Sequence, residues 1–225
     1  MNFFRVGDSA ICVEFGPKID EKLNKKAISY AYCIEQKKWP WILDVVPAYS
    51  SVMIYYNALK INDLDVIRGL MEVARSGIRG ASSEAQIHEV PVVYGGEFGP
   101  DLESVAELNG IATKKVIDIH TGMRFLVYML GFMPGFPYCG MLPETIRAPR
   151  LPSPRTHVPA GSVGIAEAQT GIYPISSPGG WRLIGRTPLR IFNPDSGQEG
   201  IFRFKPGDLI HFYSISAEKF HELAN

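Results

Sequence analysis

The sequence predicts an α+β protein of two domains, in which a small α/β sandwich precedes a domain of many short strands, a β-barrel or sandwich. Glycine and proline favour turns, and residues 1–89 hold only 5 of the 22 glycines and 3 of the 17 prolines. Two amphipathic helical patterns occupy that first part, whereas short apolar runs fill the rest. We therefore expect an N-terminal domain over residues 1–84 and a second domain over residues 85–225.

The N-terminal domain is predicted to repeat an order of two strands and one helix. Four β-rich runs lie at residues 3–6, 10–15, 42–46 and 51–56. Apolar residues recur at helical spacing in two further segments, which Asp20 and either Asn62 or Asp63 are placed to cap. Gly77 and Gly80 follow the second segment and are typical of a helix end. One sheet covered by two helices gives an α+β sandwich.

The second domain begins after a small, polar linker at residues 81–87. A strand is predicted over residues 89–94, and Asp101 and Thr113 are placed to cap two short helices. Beyond them no helical period persists, and the apolar runs lie at residues 125–132, 163–166, 172–175, 182–184, 189–192, 201–204 and 209–213. Such closely spaced short strands, separated by turn residues, are typical of a barrel or a sandwich.

Composition excludes several classes of function. The 23 basic and 23 acidic residues balance, which argues against nucleic-acid binding by bulk electrostatics. The longest nearly uncharged apolar stretch, residues 125–137, is too short to span a bilayer, and the N-terminus lacks a signal-peptide pattern. We expect a cytoplasmic protein with no membrane or nucleic-acid partner. The three cysteines are predicted to be inert thiols, and the scattered histidines predict no metal site.

The first of three unusual segments, residues 130–138, interleaves two glycines and two prolines with three aromatic residues. Proline stiffens such a loop and glycine permits positive φ, so the rings of Phe136 and Tyr138 are held in fixed places. The segment predicts either the wall of a ligand pocket or a rigid corner whose aromatic rings pack inward.

The second segment runs from Arg155 to residue 174. Gly161, Ser162 and Gly164 are candidates to present backbone N–H groups to an anion, and Arg155 to pair with a carboxylate or phosphate. The alternative, which the residues alone favour, is a tight β-turn with Arg155 on the surface.

The third segment, residues 177–186, contains Gly179 and Gly180 followed by Trp181. Two glycines allow a close backbone approach, and the indole is suited to form a pocket wall or to anchor the core beneath a hairpin. His120 is a candidate acid or base facing this region, although a structural histidine is the simpler interpretation.

Together these segments resemble the KipI/PxpB family, also called the allophanate hydrolase subunit 1 domain, whose bacterial members include the B subunit of 5-oxoprolinase. The matching stretches are residues 90–96, 99–102, 130–138, 149–150, 158–165, 169–174, 177–181, 183–185 and 206–208. Residues 1–86 match mainly in length and element order. The resemblance implies a cyclophilin-like β-barrel after the small α+β domain. The family usually has an apolar residue where this chain has Cys139, which favours a packing role for that thiol.

The resemblance implies one component of an ATP-dependent 5-oxoprolinase, inactive alone, that opens 5-oxo-L-proline to L-glutamate together with the C and A subunits. ATP is expected to bind with the partner subunit. Two alternatives remain: a KipI-like regulator that inhibits a sporulation sensor histidine kinase, and the carboxyltransferase component of a urea amidolyase system.

A lactam amide is a poor electrophile, and phosphorylating its oxygen would turn that oxygen into a good leaving group. A site for this reaction needs a cradle for an anion, a wall for the ring and a group that holds the carboxylate. The predicted catalytic residues are His120 and Arg155, with Arg155 holding the carboxylate. The predicted substrate-binding residues are Phe136, Tyr138, Gln169 and Trp181. The predicted anion- or nucleotide-binding residues are Gly161, Ser162, Gly164, Gly179 and Gly180.

Overall fold

A computed structural model describes residues 1–77, 85–197 and 200–224. Its internal contacts divide the chain into two compact units, Met1–Ala85 and Gln86–Asn225. Gly80, the predicted helix end, and residues 81–84 of the predicted linker lie outside the described residues.

The N-terminal unit is a four-stranded antiparallel sheet with two helices. Its elements are β1 (Asn2–Val6), β2 (Ala10–Glu14), α1 (Glu21–Glu35), β3 (Ile42–Pro47), β4 (Ser51–Tyr56) and α2 (Asp63–Arg75). The strand order is β1-β2-β4-β3. Asp20 caps α1 by accepting two backbone N–H bonds, and Asn62 caps α2. The buried Tyr30 hydroxyl donates to the Leu70 carbonyl at 2.6 Å and so ties α1 to α2.

The C-terminal unit is a closed seven-stranded barrel with three short α-helices among its described residues. The elements are β5 (Ile87–Tyr94), α3 (Leu102–Leu108), α4 (Thr113–Thr121), β6 (Arg124–Leu130), β7 (Pro137–Gly140), a 3₁₀ turn (Glu144–Ile146), β8 (Arg155–Val158), β9 (Ser162–Ala166), β10 (Gln169–Ile172), β11 (Ser177–Gly179), β12 (Arg182–Arg186), β13 (Leu209–Ser214) and α5 (Ala217–Ala224). The barrel order is β10-β7-β6-β13-β5-β12-β9, and β8 pairs with β11 outside it. This barrel and the helix-backed sheet confirm the predicted α+β fold class.

Three local predictions differ from the structure. Asp101 precedes α3 but makes no side-chain cap bond, because its carboxylate binds Arg155 and the Leu183 N–H. Thr113 is the first residue of α4, and no side chain caps that helix. The apolar runs at residues 189–192 and 201–204 form only the single bridge between Phe192 and Phe202, since nearby prolines limit a longer ladder.

Buried apolar side chains fill the barrel, among them Val92, Phe125, Val127, Ile165 and Phe212. Among the described residues, no helix combines the length and apolar character that crossing a bilayer requires. The same residues contain no group of three or more His, Cys, Asp or Glu side chains arranged to hold a metal ion.

Candidate functional site

Five aromatic side chains gather in the C-terminal unit and define what we call the aromatic cluster: Phe132, Phe136, Tyr138, Tyr173 and Trp181. Phe136 lies at its centre, with its ring centroid 4.9 Å from Tyr138 and 5.2 Å from both Tyr173 and Trp181. The rings meet edge to face, the arrangement that aromatic quadrupoles favour. The structure therefore brings together three of the four residues predicted to bind substrate.

Burial divides the cluster into an inner and an outer part. Phe136, Tyr173 and Trp181 are buried, which agrees with the alternative of rings packed inward. Tyr138 is half-buried, and Phe132 is 64% exposed. Phe132 also has a φ of 64°, a left-handed conformation that is strained for a bulky side chain. The outer rings are consequently the part of the cluster that a ligand can reach.

Gly179 of the third segment makes room for these rings, and Gly180 beside it packs against Pro154. A Cβ on Gly179 would overlap the Tyr173 hydroxyl, so only glycine fits there. The Gly180 carbonyl accepts a hydrogen bond from the Leu151 N–H at 2.8 Å. This geometry gives both residues a packing role and does not favour the predicted anion-binding role, which stays a prediction.

Arg155 is held beside the cluster by an ion pair. It lies opposite Gly179 in the β8–β11 ladder, and its Nη2 donates to Asp101 Oδ1 at 2.7 Å. Asp101 is buried, and its Oδ2 accepts the Leu183 N–H at 2.7 Å. The Arg155 side chain is 29% exposed, while its Nη1 is buried without a hydrogen-bond partner among the described residues. The ion pair thus links the small sheet to β12.

Arg150 supplies positive charge at the outer edge of the cluster. Burial raises the pKa of Tyr138, and the nearby Arg150 partly opposes that rise. Burial likewise raises the pKa of Tyr173, against the effects of a hydrogen bond from the Trp181 backbone and of Arg150 and Arg155. Both phenols therefore stay protonated at neutral pH, and the exposed Arg150 guanidinium is the cation beside them.

Sequence reasoning missed Phe132, Arg150 and Tyr173 as site residues. Each lies in or next to a stretch that carries the family resemblance, and that position was the available signal. No local pattern brings Arg150 to the two tyrosines, which lie 12 positions before it and 23 positions after it, because those approaches depend on barrel closure.

The backbone of the second segment is already hydrogen-bonded within the barrel. The Gly161 N–H donates to the Tyr173 carbonyl at 2.7 Å, and the Ser162 N–H donates to the Pro159 carbonyl at 3.2 Å. Ser162 and Gly164 belong to β9, between β10 and β12. The geometry does not favour the predicted anion cradle, and this turn does not fit the phosphates of ATP.

His120 lies inside the barrel. Its Nδ1 is 2.8 Å from the Tyr94 hydroxyl and its Nε2 is 3.0 Å from Thr170 Oγ1, while its ring stacks on Phe212 at 4.5 Å. Complete burial lowers the pKa of His120 to about 3, so the ring is neutral. This environment is that of a structural histidine, and the catalytic role stays a prediction. Gln169 is half-buried on β10, opposite Gly140 of β7.

Comparison with known proteins gives the family. A family model described as the carboxyltransferase domain, subdomain C and D, matches residues 1–202. The chain belongs to this carboxyltransferase-domain family. Similar curated members include the 5-oxoprolinase B subunit of Bacillus subtilis, 42% identical over 96% of this chain and 94% of that protein. The 5-oxoprolinase B subunit of Escherichia coli O157:H7 is 36% identical over 93% of this chain and 94% of that protein. The one from Haemophilus influenzae is 34% identical over 94% of this chain and 97% of that protein.

Solved structures agree with this family assignment. TTHA0988 superimposes with a TM-score of 0.81 at 33% identity, and the match covers 92% of this chain but only 40% of that longer chain. A conserved uncharacterized protein, PH0987 from Pyrococcus horikoshii, is 44% identical with a TM-score of 0.57, over 97% of this chain and 100% of its own. Kluyveromyces lactis urea carboxylase, at 20% identity, shares the fold: the TM-score is 0.79, over 98% of this chain and 22% of that one. The resemblance inferred from sequence is confirmed.

Proposed function

We propose that this chain is the B subunit of an ATP-dependent 5-oxoprolinase, which opens 5-oxo-L-proline to L-glutamate together with C and A subunits. The observation that carries the proposal is its similarity to three proteins named as B subunits of 5-oxoprolinase. Each match extends over at least 93% of this chain and at least 94% of the relative, so it involves the whole relative rather than one domain of it.

The aromatic cluster supports the proposal through its chemistry. Phe132 and Tyr138 both contact Phe136 and present apolar ring surface for a flat five-membered lactam. Arg150 is the cation for the substrate carboxylate, and the protonated Tyr138 hydroxyl is a hydrogen-bond donor beside it. Because one Nη of Arg155 is engaged by Asp101, we assign Arg155 to holding β8 and β11 rather than to binding the carboxylate directly.

ATP belongs to the proposal as a co-substrate of the assembled enzyme. Phosphorylation of the lactam oxygen would activate the amide carbon toward water. After water adds, the C–N bond breaks and the ring nitrogen takes a proton, and hydrolysis of the resulting acyl phosphate gives L-glutamate and inorganic phosphate. No residue of this chain is assigned to the nucleotide, because the N–H groups of Gly161 and Ser162 already donate to carbonyls. We therefore propose that the partner subunit supplies the nucleotide site.

Reconstitution with homologous C and A subunits tests the function. The assay follows the 5-oxoproline-dependent release of ADP and glutamate. If the assembled wild-type complex forms no glutamate, the proposed function is wrong. The same assay applied to variants of the aromatic cluster tests the site separately.

Two substitutions address the site. Arg150→Gln should raise the KM for 5-oxoproline about tenfold or more, since one charge-assisted hydrogen bond is removed. Tyr138→Phe keeps the ring and should lower kcat/KM by roughly tenfold. Arg124→Gln, an exposed arginine at the start of β6, is the matched control and should leave both constants unchanged. Wild-type kinetics in both site variants would show that the cluster does not bind substrate.

A carboxyltransferase component is the second candidate function. It is favoured by the description of the matching family and by urea amidolyase of Lachancea kluyveri, which is 27% identical over 97% of this chain and 14% of that protein. Biotin-dependent carboxylation by the reconstituted complex, with glutamate release absent, would favour this candidate. Inhibition of a sensor histidine kinase stays a prediction.

A further inference from the structure

A groove of about 510 Å³ in the C-terminal unit takes no part in the function proposed above. We call it the arginine groove, because Arg186 and Arg190 line it together with the apolar side chains of Ile175, Leu189 and Phe220. None of the five rings of the aromatic cluster lines it, and neither does Arg150 or Arg155. No aspartate or glutamate is among its described lining residues.

Arg186 is held in place with much of its hydrogen-bonding capacity unused. Its Nε donates to the Ala160 carbonyl at 2.8 Å, and its guanidinium carbon lies 5.8 Å from the centre of the Phe220 ring. These two contacts fix the planar group from one edge and one face. Among the described residues no carboxylate pairs with Arg186, and neither of its Nη atoms has a hydrogen bond. Within the part of the chain that the structure describes, the Arg186 guanidinium is thus oriented and has no compensating negative charge.

Arg190 adds a second positive charge. Its Nη2 is 3.4 Å from Asp195 Oδ2, but the two side chains are 63% and 82% exposed. An exposed pair at that distance neutralises little, because water screens it and long side chains resist ordering. The described lining of the groove therefore carries about two net positive charges beside apolar walls.

The walls of the groove are stiff. Pro174, Pro188 and Pro194 line it and fix their own φ angles. Gly161, with a φ of 81°, brings its backbone so close to the Thr187 carbonyl oxygen that a Cβ would overlap that atom. The volume of the groove lies within the range of roughly 300–1,000 Å³ typical of small-molecule sites, and its rigidity lowers the cost of binding.

We propose that the arginine groove is a binding site for a small organic anion, whose carboxylate is held by the Arg186 fork and whose apolar body lies along Ile175, Leu189 and Phe220. A planar guanidinium matches a carboxylate with two parallel hydrogen bonds. The apolar walls give the affinity that a bare ion would lack. The site is separate in its side chains from the aromatic cluster and goes beyond the proposed function.

Three probes test the proposal on the full ¹⁵N-labelled chain: hexanoate, its neutral analogue 1-hexanol, and acetate. Hexanoate should shift the amide resonances of Gly161, Thr187 and Leu189, with an affinity about tenfold or more above that of either other probe. Hexanol binding as tightly as hexanoate would overturn the requirement for an anion. Acetate binding as tightly would overturn the requirement for an apolar body, and unchanged groove resonances would overturn the site itself.

Variants locate the charge. Arg186→Gln should weaken hexanoate binding about tenfold or more, and Arg190→Gln should weaken it a fewfold. Arg124→Gln carries the same charge change outside the groove and should bind as wild type. Equal weakening by Arg124→Gln would overturn the proposal. Should Arg186→Gln not fold, wild-type affinity in the exposed Arg190→Gln variant would overturn it instead.

This test does not depend on the proposed 5-oxoprolinase activity. Its readout is binding to the chain alone, whereas that activity is measured in the assembled complex and depends on Arg150 and Tyr138. Failure of one proposal is therefore distinguishable from failure of the other.

Discussion

The ion pair between Asp101 and Arg155 gives the sharpest prediction of stability. Asp101 joins three parts of the C-terminal unit, since its carboxylate binds Arg155 of β8 and the Leu183 N–H of β12, and it directly precedes α3. Asp101→Ala removes both acceptors at once. The Arg155 guanidinium and the Leu183 N–H then each lose a hydrogen-bond acceptor.

The expected cost follows from those two bonds. Removing one partner of a buried ion pair costs about 3–5 kcal/mol, and the lower end applies because the Arg155 side chain is 29% exposed. An unsatisfied backbone N–H adds about 1 kcal/mol or more. We expect Asp101→Ala to lower the free energy of unfolding by about 4 kcal/mol. Asp101→Asn, which retains one acceptor oxygen, should lower it by about 2 kcal/mol.

The assay must report the C-terminal unit alone. Of the three tryptophans, Trp39 and Trp41 lie in the N-terminal unit and Trp181 lies near Leu183. Urea unfolding followed by Trp181 fluorescence, in a background with Trp39→Phe and Trp41→Phe, therefore isolates this transition.

Lys114→Gln is the matched control for the charge. It removes an exposed pair with Asp118, whose side chains are 83% and 51% exposed, and should cost less than about 0.5 kcal/mol. If Asp101→Ala cost no more than Lys114→Gln, the argument that this carboxylate organises the unit would be refuted.

The remaining predictions concern buried groups of the same unit. Burial lowers the pKa of His120 from 6.5 to about 3, so the protein takes up a proton when it unfolds at a pH between those values. The free energy of unfolding should therefore fall by about 2 kcal/mol from pH 7 to pH 5. His120→Gln should remove that part of the pH dependence, as measured by urea titrations at each pH. Gly161→Ala should lower the free energy of unfolding by about 3 kcal/mol or more, because its Cβ would overlap the Thr187 carbonyl. Gly110 also has a positive φ but lies in open space, so Gly110→Ala should lower it by only about 1 kcal/mol. Equal losses in the two variants would contradict this reasoning. Trp181→Ala should cost about 3–5 kcal/mol by circular dichroism, and a loss below about 1 kcal/mol would show that the cluster is loosely packed.

Elements that depend on local chemistry were predictable from the sequence. The caps of α1 and α2 act through atoms within three residues, so Asp20 was identifiable and Asn62 was one of two adjacent candidates. Asp101 has the same cap-forming side chain, yet long-range partners compete for its carboxylate, and the predicted cap was wrong. Local patterns cannot show such competition, because Arg155 lies 54 positions away.

The candidate site was predictable as a set of segments but not as a geometry. The interleaved glycines, prolines and rings indicated that Phe136 and Trp181 hold special places, and they do contact each other. Their burial depends on where Tyr173 lies, and that contact forms only through the barrel. The environment of His120 is equally remote in sequence, since its partners Tyr94 and Thr170 lie 26 and 50 positions away.

The pairing of β5 limits when the barrel can form during synthesis of the chain. This strand is synthesised before every other barrel strand, yet its two neighbours are β12 and β13, and its parallel partner spans Leu209–Ser214. Asp208 stabilises the pairing of β5 with β13, because its carboxylate accepts hydrogen bonds from the N–H groups of Gln86 and Lys205 and is hydrogen-bonded to His88. During translation both edges of β5 therefore stay unpaired until β12 and β13, near the end of the C-terminal unit, have been synthesised. A nascent chain of this protein is thus exposed to mispairing until its last strand arrives, whereas every strand of the N-terminal sheet already has its partners by then.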